Sequence, residues 1–300
     1  MTNKPKISVI IPTIERGNYL LDTISQLNKQ SFKNFEVIVV DQTEKYVNPT
    51  ETKIKELSKE SMRYYRIIPR SVTAAKNFAI KKAKGEILIF IDDDIEIQKD
   101  FIKNHLEAYK KYPKAGAIAG RVLQDGFPII NKILRFNKYG QSEGTYTGTV
   151  DGETNTFPGG NCSVKRNIAL RVKGFDTRYY GGSFREESDF ANKVHSAGYK
   201  IYYYHKAEIF HLAAPSGGNR VKTHIYDNPS FYANEMFFTL RFVSYKNLIK
   251  SLKYKFSEYC MVARGKTRYK RAVLFILGIL RAFSRLILNK QTIAKEFRWK

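Results

Sequence analysis

The chain has 300 residues, 43% of them hydrophobic, and its 52 Lys or Arg against 28 Asp or Glu give a net charge of +24. That apolar content excludes a disordered chain and suffices for one large domain, or one domain with an appendage. Two distant cysteines, Cys162 and Cys260, exclude a disulfide framework and fit a reducing cytoplasm.

The N-terminus has a short apolar run, interrupted by Pro12, and lacks the parts of a signal peptide. Ile7–Ile11 reads as a buried strand closed by Pro12 and Thr13. Over Gly17–Ser31, Leu20, Leu21, Ile24 and Leu27 recur at helical spacing. Phe35–Val40 is a second buried strand and ends in Asp41, giving a right-handed strand–helix–strand unit. Asp41 therefore stands at a strand's carboxyl end, where it either caps a turn or accepts hydrogen bonds from a base or ribose. Thr50–Ser61 reads as a lysine-rich surface helix and Met62–Ile68 as a third strand. Val72–Lys84 reads as a helix with small residues at its start and Lys76 and Asn77 one turn in. A helix N-terminus with a lysine beside it favours a pyrophosphate, although an ordinary amphipathic helix with a solvated lysine has the same pattern.

Ile87–Ile91 is a short β-branched run that stops at Asp92, Asp93 and Asp94. Carboxylates at the end of a buried strand must face solvent or a cation. In open α/β sheets that edge borders the ligand crevice, where an Asp-x-Asp pair suits a divalent metal, although an acidic turn capping the next helix has the same composition. A helix over Asp100–Tyr112 and a strand over Ala115–Val122 follow. Residues 123–156 lack periodicity and read as loop and edge-strand material. Gly159-Gly160-Asn161 lets the backbone either turn tightly or approach a ligand. Glu186, Glu187 and Asp189 fall in a helix's first turn, where the macrodipole favours anions. Crowding there also raises a carboxylate pKa and suits a general base. Tyr199–Tyr204 and Ala207–His211 read as two short strands, and the segment from Ala213 to Arg220 as a polar loop.

The last sixty residues differ in character. They hold 16 Lys or Arg and two acids, Glu258 and Glu296, a local charge of +14. We therefore divide the chain at 1–225 and 226–300, with a helical, basic second part. A helix is expected over Phe231–Phe242. Ala272–Leu288 is apolar but broken by Arg281 and Arg285, so only Ala272–Leu280 is free of charge, about half of what spans a bilayer. The two arginines, four apart, share one helical side, which suits a helix lying in the membrane interface. The alternative is a helix packed on the first part. The basic tail implies an anionic partner surface, membrane or nucleic acid.

Taken together, these motifs resemble the family two glycosyltransferases of the GT-A fold, over roughly Lys6 to Arg220. The resemblance implies an α/β fold with a mixed, mostly parallel central sheet flanked by helices. It implies inverting transfer of a sugar from a nucleotide-diphosphate donor, most often a UDP-sugar, to a glycan or lipid-linked acceptor in polysaccharide or cell-envelope synthesis. Pro12, Thr13 and Asp41 would form the nucleoside pocket. Lys76 and Asn77 would lie near the diphosphate, Lys76 replacing the family's usual arginine without its bidentate fork. Asp92 and Asp94 would bind Mg²⁺ or Mn²⁺, with Asp92 and Asp93 near the ribose and His211 a third metal position. Gly159, Gly160, Asn161 and Asp189 would border the donor and acceptor. The catalytic pair, usually Glu-Asp, is here Glu186-Glu187, with Glu187 the expected base and Glu186 the fallback. Cytoplasmic placement, peripheral to the inner face of the cell membrane, follows from the tail.

Two other readings are weaker. A sugar-phosphate nucleotidyltransferase needs a glycine-rich basic loop after the first strand, and residues 13–17 carry one glycine and an acid. A non-catalytic nucleic-acid binder would leave the acidic strand end without a purpose and in conflict with phosphate, so no nucleic-acid partner is expected.

Overall fold

The computed structural model describes residues 4–46, 49–68, 70–218, 224–288 and 295–297. Asn219 and Arg220, at the end of the expected polar loop, lie outside the described residues. The chain opens with β1 (Ile7–Thr13), α1 (Gly17–Asn28), β2 (Phe35–Asp41), α2 (Thr50–Glu60), β3 (Arg63–Ile68) and α3 (Val72–Lys82). Then follow β4 (Ile87–Ile91), β5 (Ile95–Ile97), α4 (Phe101–Lys111) and β6 (Ala115–Leu123). The segment expected to be irregular contains a small hairpin, β7 (Arg135–Phe136) and β8 (Ser142–Glu143), and the edge strand β9 (Gly152–Thr154). Next come β10 (Asn161–Lys165), α5 (Arg166–Arg171), α6 (Glu186–Ser196) and β11 (Lys200–His211). The two short strands expected near residue 205 are thus one long strand, with an irregularity between Tyr204 and Glu208. The helices α7 (Pro229–Phe242), α8 (Tyr245–Phe256) and α9 (Gly265–Leu288) precede a terminal strand, β12 (Lys295–Phe297).

The sheet runs β12-β3-β2-β1-β4-β10-β6-β11-β5. Pairings β3–β2–β1–β4 and β6–β11 are parallel, while β10 is antiparallel to both β4 and β6. Alternation along β1 divides the core between the sheet's two faces. Val9 and Ile11 pack with Leu20, Ile24 and Ile89, whereas Ile10 packs with Ala75, Phe90 and Phe190. The strand ends of β1 and β4 therefore meet above a core closed on both faces, and the acidic run after β4 lies at that rim.

Helix α7 is rich in aromatic residues and buried without a break from Ser230 to Thr239, as in a core helix. Asn228 caps it by accepting from Ser230 N, and Pro229 takes its first turn. Its aromatic residues form one cluster with Tyr179 and, on α9, Phe275 and Ala282. The division expected at residue 225 thus crosses a shared apolar cluster. Arg285 corrects a further expectation: it does not join Arg281 on a bilayer-facing side. Its guanidinium lies 4.0 Å from the Tyr180 ring centroid and donates to Asn234 Oδ1 at 2.8 Å.

Candidate active site

The acidic run is split by strand pairing. Asp92 follows the last residue of β4, and β10 pairs Asn161 with Ile91, so Gly160 comes to rest against Asp92. A Cβ added to Gly160 would lie 2.0 Å from Asp92 Oδ2, so a side chain there would displace the Asp92 carboxylate. β5 pairs with β11 in a register that sets His211 opposite Ile95, beside Asp94. Residues more than a hundred apart in sequence thus meet through backbone pairing. His211 Nε2 lies 3.4 Å from Asp94 Oδ1 and 4.0 Å from Asp92 Oδ2. Asp92, Asp94 and His211 each offer a ligand atom, all within 4.8 Å of one another. Two carboxylate oxygens and an imidazole nitrogen fit Mg²⁺ or Mn²⁺ and leave positions for substrate oxygens and water. His211 Nδ1–H donates to Gln124 Oε1 at 2.7 Å, which fixes the ring so that Nε2 faces the carboxylates.

Arg16 neutralises this run from below. Its Nη1 lies 3.1 Å from Asp93 Oδ1 and 3.0 Å from Asp94 Oδ2, and its Nε donates to Ser216 O. Thr13 Oγ1 donates to Asp93 Oδ2 at 2.6 Å. Burial pushes Asp93 up to about 6, against the pull of Thr13 and Arg16. Burial also acts upward on Asp94, but hydrogen bonding and charge from His211, the charge of Arg16 and the Ala214 N–H hold it below its ordinary value. A small cavity beside this group is lined by Pro12, Thr13, Gln42, Arg70, Ser71 and Asp92, among others.

The glutamate pair closes the other side. A Cβ on Gly159 would lie 3.3 Å from Glu186 Oε1 and 3.4 Å from Glu187 Cβ. Gly159 and Gly160 therefore form a bare floor between Asp92 and the two glutamates. Glu186 is buried and accepts from Lys76 Nζ at 2.6 Å, and the same ammonium donates to Gly159 O at 3.2 Å. Burial pushes Glu186 up to about 7, opposed by Lys76. The Lys76 ammonium is held above its usual range because the carboxylates of Glu186 and Asp92 outweigh its burial. Glu187 is half-buried, and its Oε1 accepts from the Ser188 hydroxyl at 2.9 Å. It is the member of the pair with no ion-pair partner among the described residues.

Behind the glutamates stands a network that the motifs alone did not reveal. Arg185, in left-handed backbone at φ 72°, fixes the start of α6. Its Nε donates to Glu235 Oε2 at 2.6 Å, and its guanidinium lies over Phe136 and Phe184. Lys255 also pairs with Glu235 and donates to Gly140 O. Burial acts upward on Glu235, but Arg185 and Lys255 overcome it and hold the carboxyl down to about 2. Glu15 and Ala213 are likewise left-handed, next to Arg16 and Asp94's partner Ala214. Such backbone costs of order 1–3 kcal/mol each and collects where structure over-determines a site.

Four expected site residues are turned inward. Asp41 is buried, accepting from Tyr64 Oη and Thr43 N, so it orders its loop rather than lining the cavity. Asn77 clasps the Phe175 backbone through both its amide atoms. Asn161 is buried and bonded to Arg121 O, Ala207 O and His105. Asp189 is buried between Tyr179 and Arg241. Pro12, Thr13 and Asp93 do line the cavity, and Asp92, Asp94, His211, Lys76, Gly159, Gly160, Glu186 and Glu187 come together.

The sheet order, the acidic rim and the flanking helices define the GT-A glycosyltransferase fold. A structure of the mannosyltransferase PcManGT from Pyrobaculum calidifontis, in complex with GDP-Man and Mn²⁺, superposes with a TM-score of 0.60, covering 96% of this chain and 80% of that one at 16% identity. The family model "Glycosyl transferase family 2" matches residues 8–171, more than half the chain, and the chain belongs to that family. The GalNAc(5)-diNAcBac-PP-undecaprenol beta-1,3-glucosyltransferase of Campylobacter jejuni is 25% identical over 228 residues, 72% of this chain and 71% of its own length. The glucosyl-dolichyl phosphate glucuronosyltransferase of Haloferax volcanii is 25% identical over 178 residues, and the chain spans 56% of its length.

Proposed function

We propose that the protein is an inverting, metal-dependent glycosyltransferase that moves a sugar from a nucleotide-diphosphate donor to a hydroxyl of a lipid-linked or growing glycan acceptor. UDP-sugars are the favoured donors, as the resemblance to the family implies. The observation that carries the reading is the bare Gly159–Gly160 floor, with a three-donor cluster at one end and the open Glu187 carboxylate at the other.

In this reading the nucleoside enters the cavity beside Pro12, Thr13 and Gln42. The positive charges of Arg70 and Lys76 flank the diphosphate. Asp92, Asp94 and His211 would hold a divalent ion, which would supply positive charge to the departing diphosphate. Glu187 accepts the proton of the acceptor hydroxyl as that oxygen bonds to the anomeric carbon. The bond from that carbon to the diphosphate oxygen breaks on the opposite face, so one displacement inverts the centre. The transition state has oxocarbenium character. Glu186 does not take this role because its carboxylate is bonded to Lys76. The Campylobacter and Haloferax relatives, named for undecaprenol- and dolichyl-linked substrates, support a lipid-linked acceptor and a position beside a membrane.

Thermal unfolding with Mn²⁺ and individual nucleoside diphosphates tests the donor side. Binding to the native state raises the midpoint, by an amount equivalent to about 2.7 kcal/mol at a hundred times Kd. A shift with UDP and Mn²⁺ together, larger than with either alone, is expected. No shift with any nucleoside diphosphate would remove the proposal.

A further inference from the structure

Helix α9 has two apolar faces, and the body uses one. On the inner side Phe275, Gly278 and Ala282 are buried against α7 and its neighbours. Gly278 lies so near Tyr232 that an added Cβ would come within 2.7 Å of that residue's Cβ. Arg285 continues this side and is tied to Asn234. Half a turn away, at 3.6 residues per turn, Tyr269, Val273, Ile276, Leu280, Phe283 and Ile287 recur at alternating steps of four and three. All six are between 48 and 79% exposed. Single exposed apolar residues are ordinary, but a continuous stripe of six on one helix marks an interaction surface. Exposed Lys266, Lys270 and Arg281 border the stripe on one flank and Arg268 on the other. From Tyr259 to Leu288 the sequence has no acid at all.

We propose that this outer face of α9 docks on an anionic lipid bilayer. The helix lies in the plane of the interface, its stripe at the acyl boundary and its basic flanks at the headgroup phosphates. None of the described helices is long and apolar enough to cross a membrane, which leaves the in-plane geometry. A second copy of the chain would match the stripe, whose spacing is that of a coiled-coil seam. It would also set like charges against one another along the flanks, with no acid there to answer them. An anionic bilayer satisfies stripe and flanks together. The proposal deepens the acceptor-side reading above but stands on the helix alone. Because α9 is locked to α7, docking would orient the whole catalytic body.

The test is co-sedimentation of the full chain with vesicles of phosphatidylcholine, alone or mixed with phosphatidylglycerol. The protein is expected to pellet with the mixed vesicles and to be released by salt. The double variant Ile276→Asp/Leu280→Asp should lose binding by at least about tenfold, with an unchanged unfolding midpoint because both side chains are exposed. Lys270→Ala and Arg281→Ala should each weaken it by about fivefold. Failure of the wild type to bind the anionic vesicles overturns the proposal. So does undiminished binding by the double variant, and so does a wild-type dimer that the double variant dissolves in the absence of lipid. The nucleoside diphosphate shift is read without vesicles, so failure of docking and failure of the transferase reading are separable.

Discussion

The two acidic runs, 92–94 and 186–189, are built on one plan and end with different chemistry. Each leaves one carboxylate open and neutralises its neighbours with a cation from far along the chain. Asp92 has a side chain 41% exposed, whereas Asp94 is fully buried. Arg16 reaches Asp93 across 77 positions, and Lys76 reaches Glu186 across 110. The difference is what remains. At the first run Asp94 keeps an oxygen near His211 while Asp92 stays open, so three donors converge, as a cation requires. At the second, Lys76 occupies Glu186 and Arg241 occupies Asp189, so Glu187 is left as a lone carboxylate, as proton abstraction requires. Local composition is almost the same in both, and the partner cations decide the outcome.

The largest expected effect breaks the second run. Glu187→Gln removes the proposed base but keeps shape and hydrogen bonding, and general-base loss costs about 10³-fold in kcat. Mn²⁺ affinity, followed by titration calorimetry, should be unchanged. Asp94→Asn should also lose transfer, but with weakened Mn²⁺ binding, so the pair of variants separates proton chemistry from cation chemistry. Full activity in purified Glu187→Gln would move the base elsewhere.

A somewhat smaller effect is expected where the second run is held in place. Glu235→Gln leaves Arg185 and Lys255 short of a buried counter-charge, and breaking such a pair costs about 3 kcal/mol or more. The native Glu235 carboxyl, held down to about 2, binds its proton less tightly than the unfolded chain, whose value is 4.5. The unfolded state then carries more protons between those values, so this contribution is fully present above pH 4.5 and fades as pH falls toward 2. Denaturant unfolding should show a deficit for Glu235→Gln that is largest near neutrality and shrinks in acid. A deficit independent of pH would assign the loss to packing alone.

What the sequence made legible follows from range. Strands and helices come from local periodicity, so β1 to β4, β6 and most helices stand where the apolar spacing puts them, whereas the three-residue β5 is too short to show a period. The acidic strand end and the paired glycines are legible for the same reason. Arg16, Arg70 and Gln124 were not, because each acquires its significance from residues tens of positions away. Asp41, Asn77, Asn161 and Asp189 differ in the opposite sense: polar residues beside motifs, they satisfy backbone and ion-pair demands within the fold. Glu235 did leave a signal. A lone acid inside an aromatic helix must find a buried cation, and that requirement argues against treating residues after 225 as an appendage.

The smallest effect sharpens the first run. Gln124 touches no donor carboxylate, yet its Oε1 accepts from His211 Nδ1. Without that acceptor the imidazole is free to place a proton on Nε2 and to rotate, so the third donor would no longer be preset. Removing such a partner costs about 10–100-fold in metal affinity or activity. Gln124→Ala should therefore raise the Mn²⁺ concentration needed for half-maximal activity while leaving kcat at saturating Mn²⁺ close to wild type. Gln124→Glu, whose carboxylate accepts the same bond, should restore the affinity. If Gln124→Ala instead lowered kcat at saturating metal without changing the Mn²⁺ requirement, His211 would belong to substrate rather than to the cation.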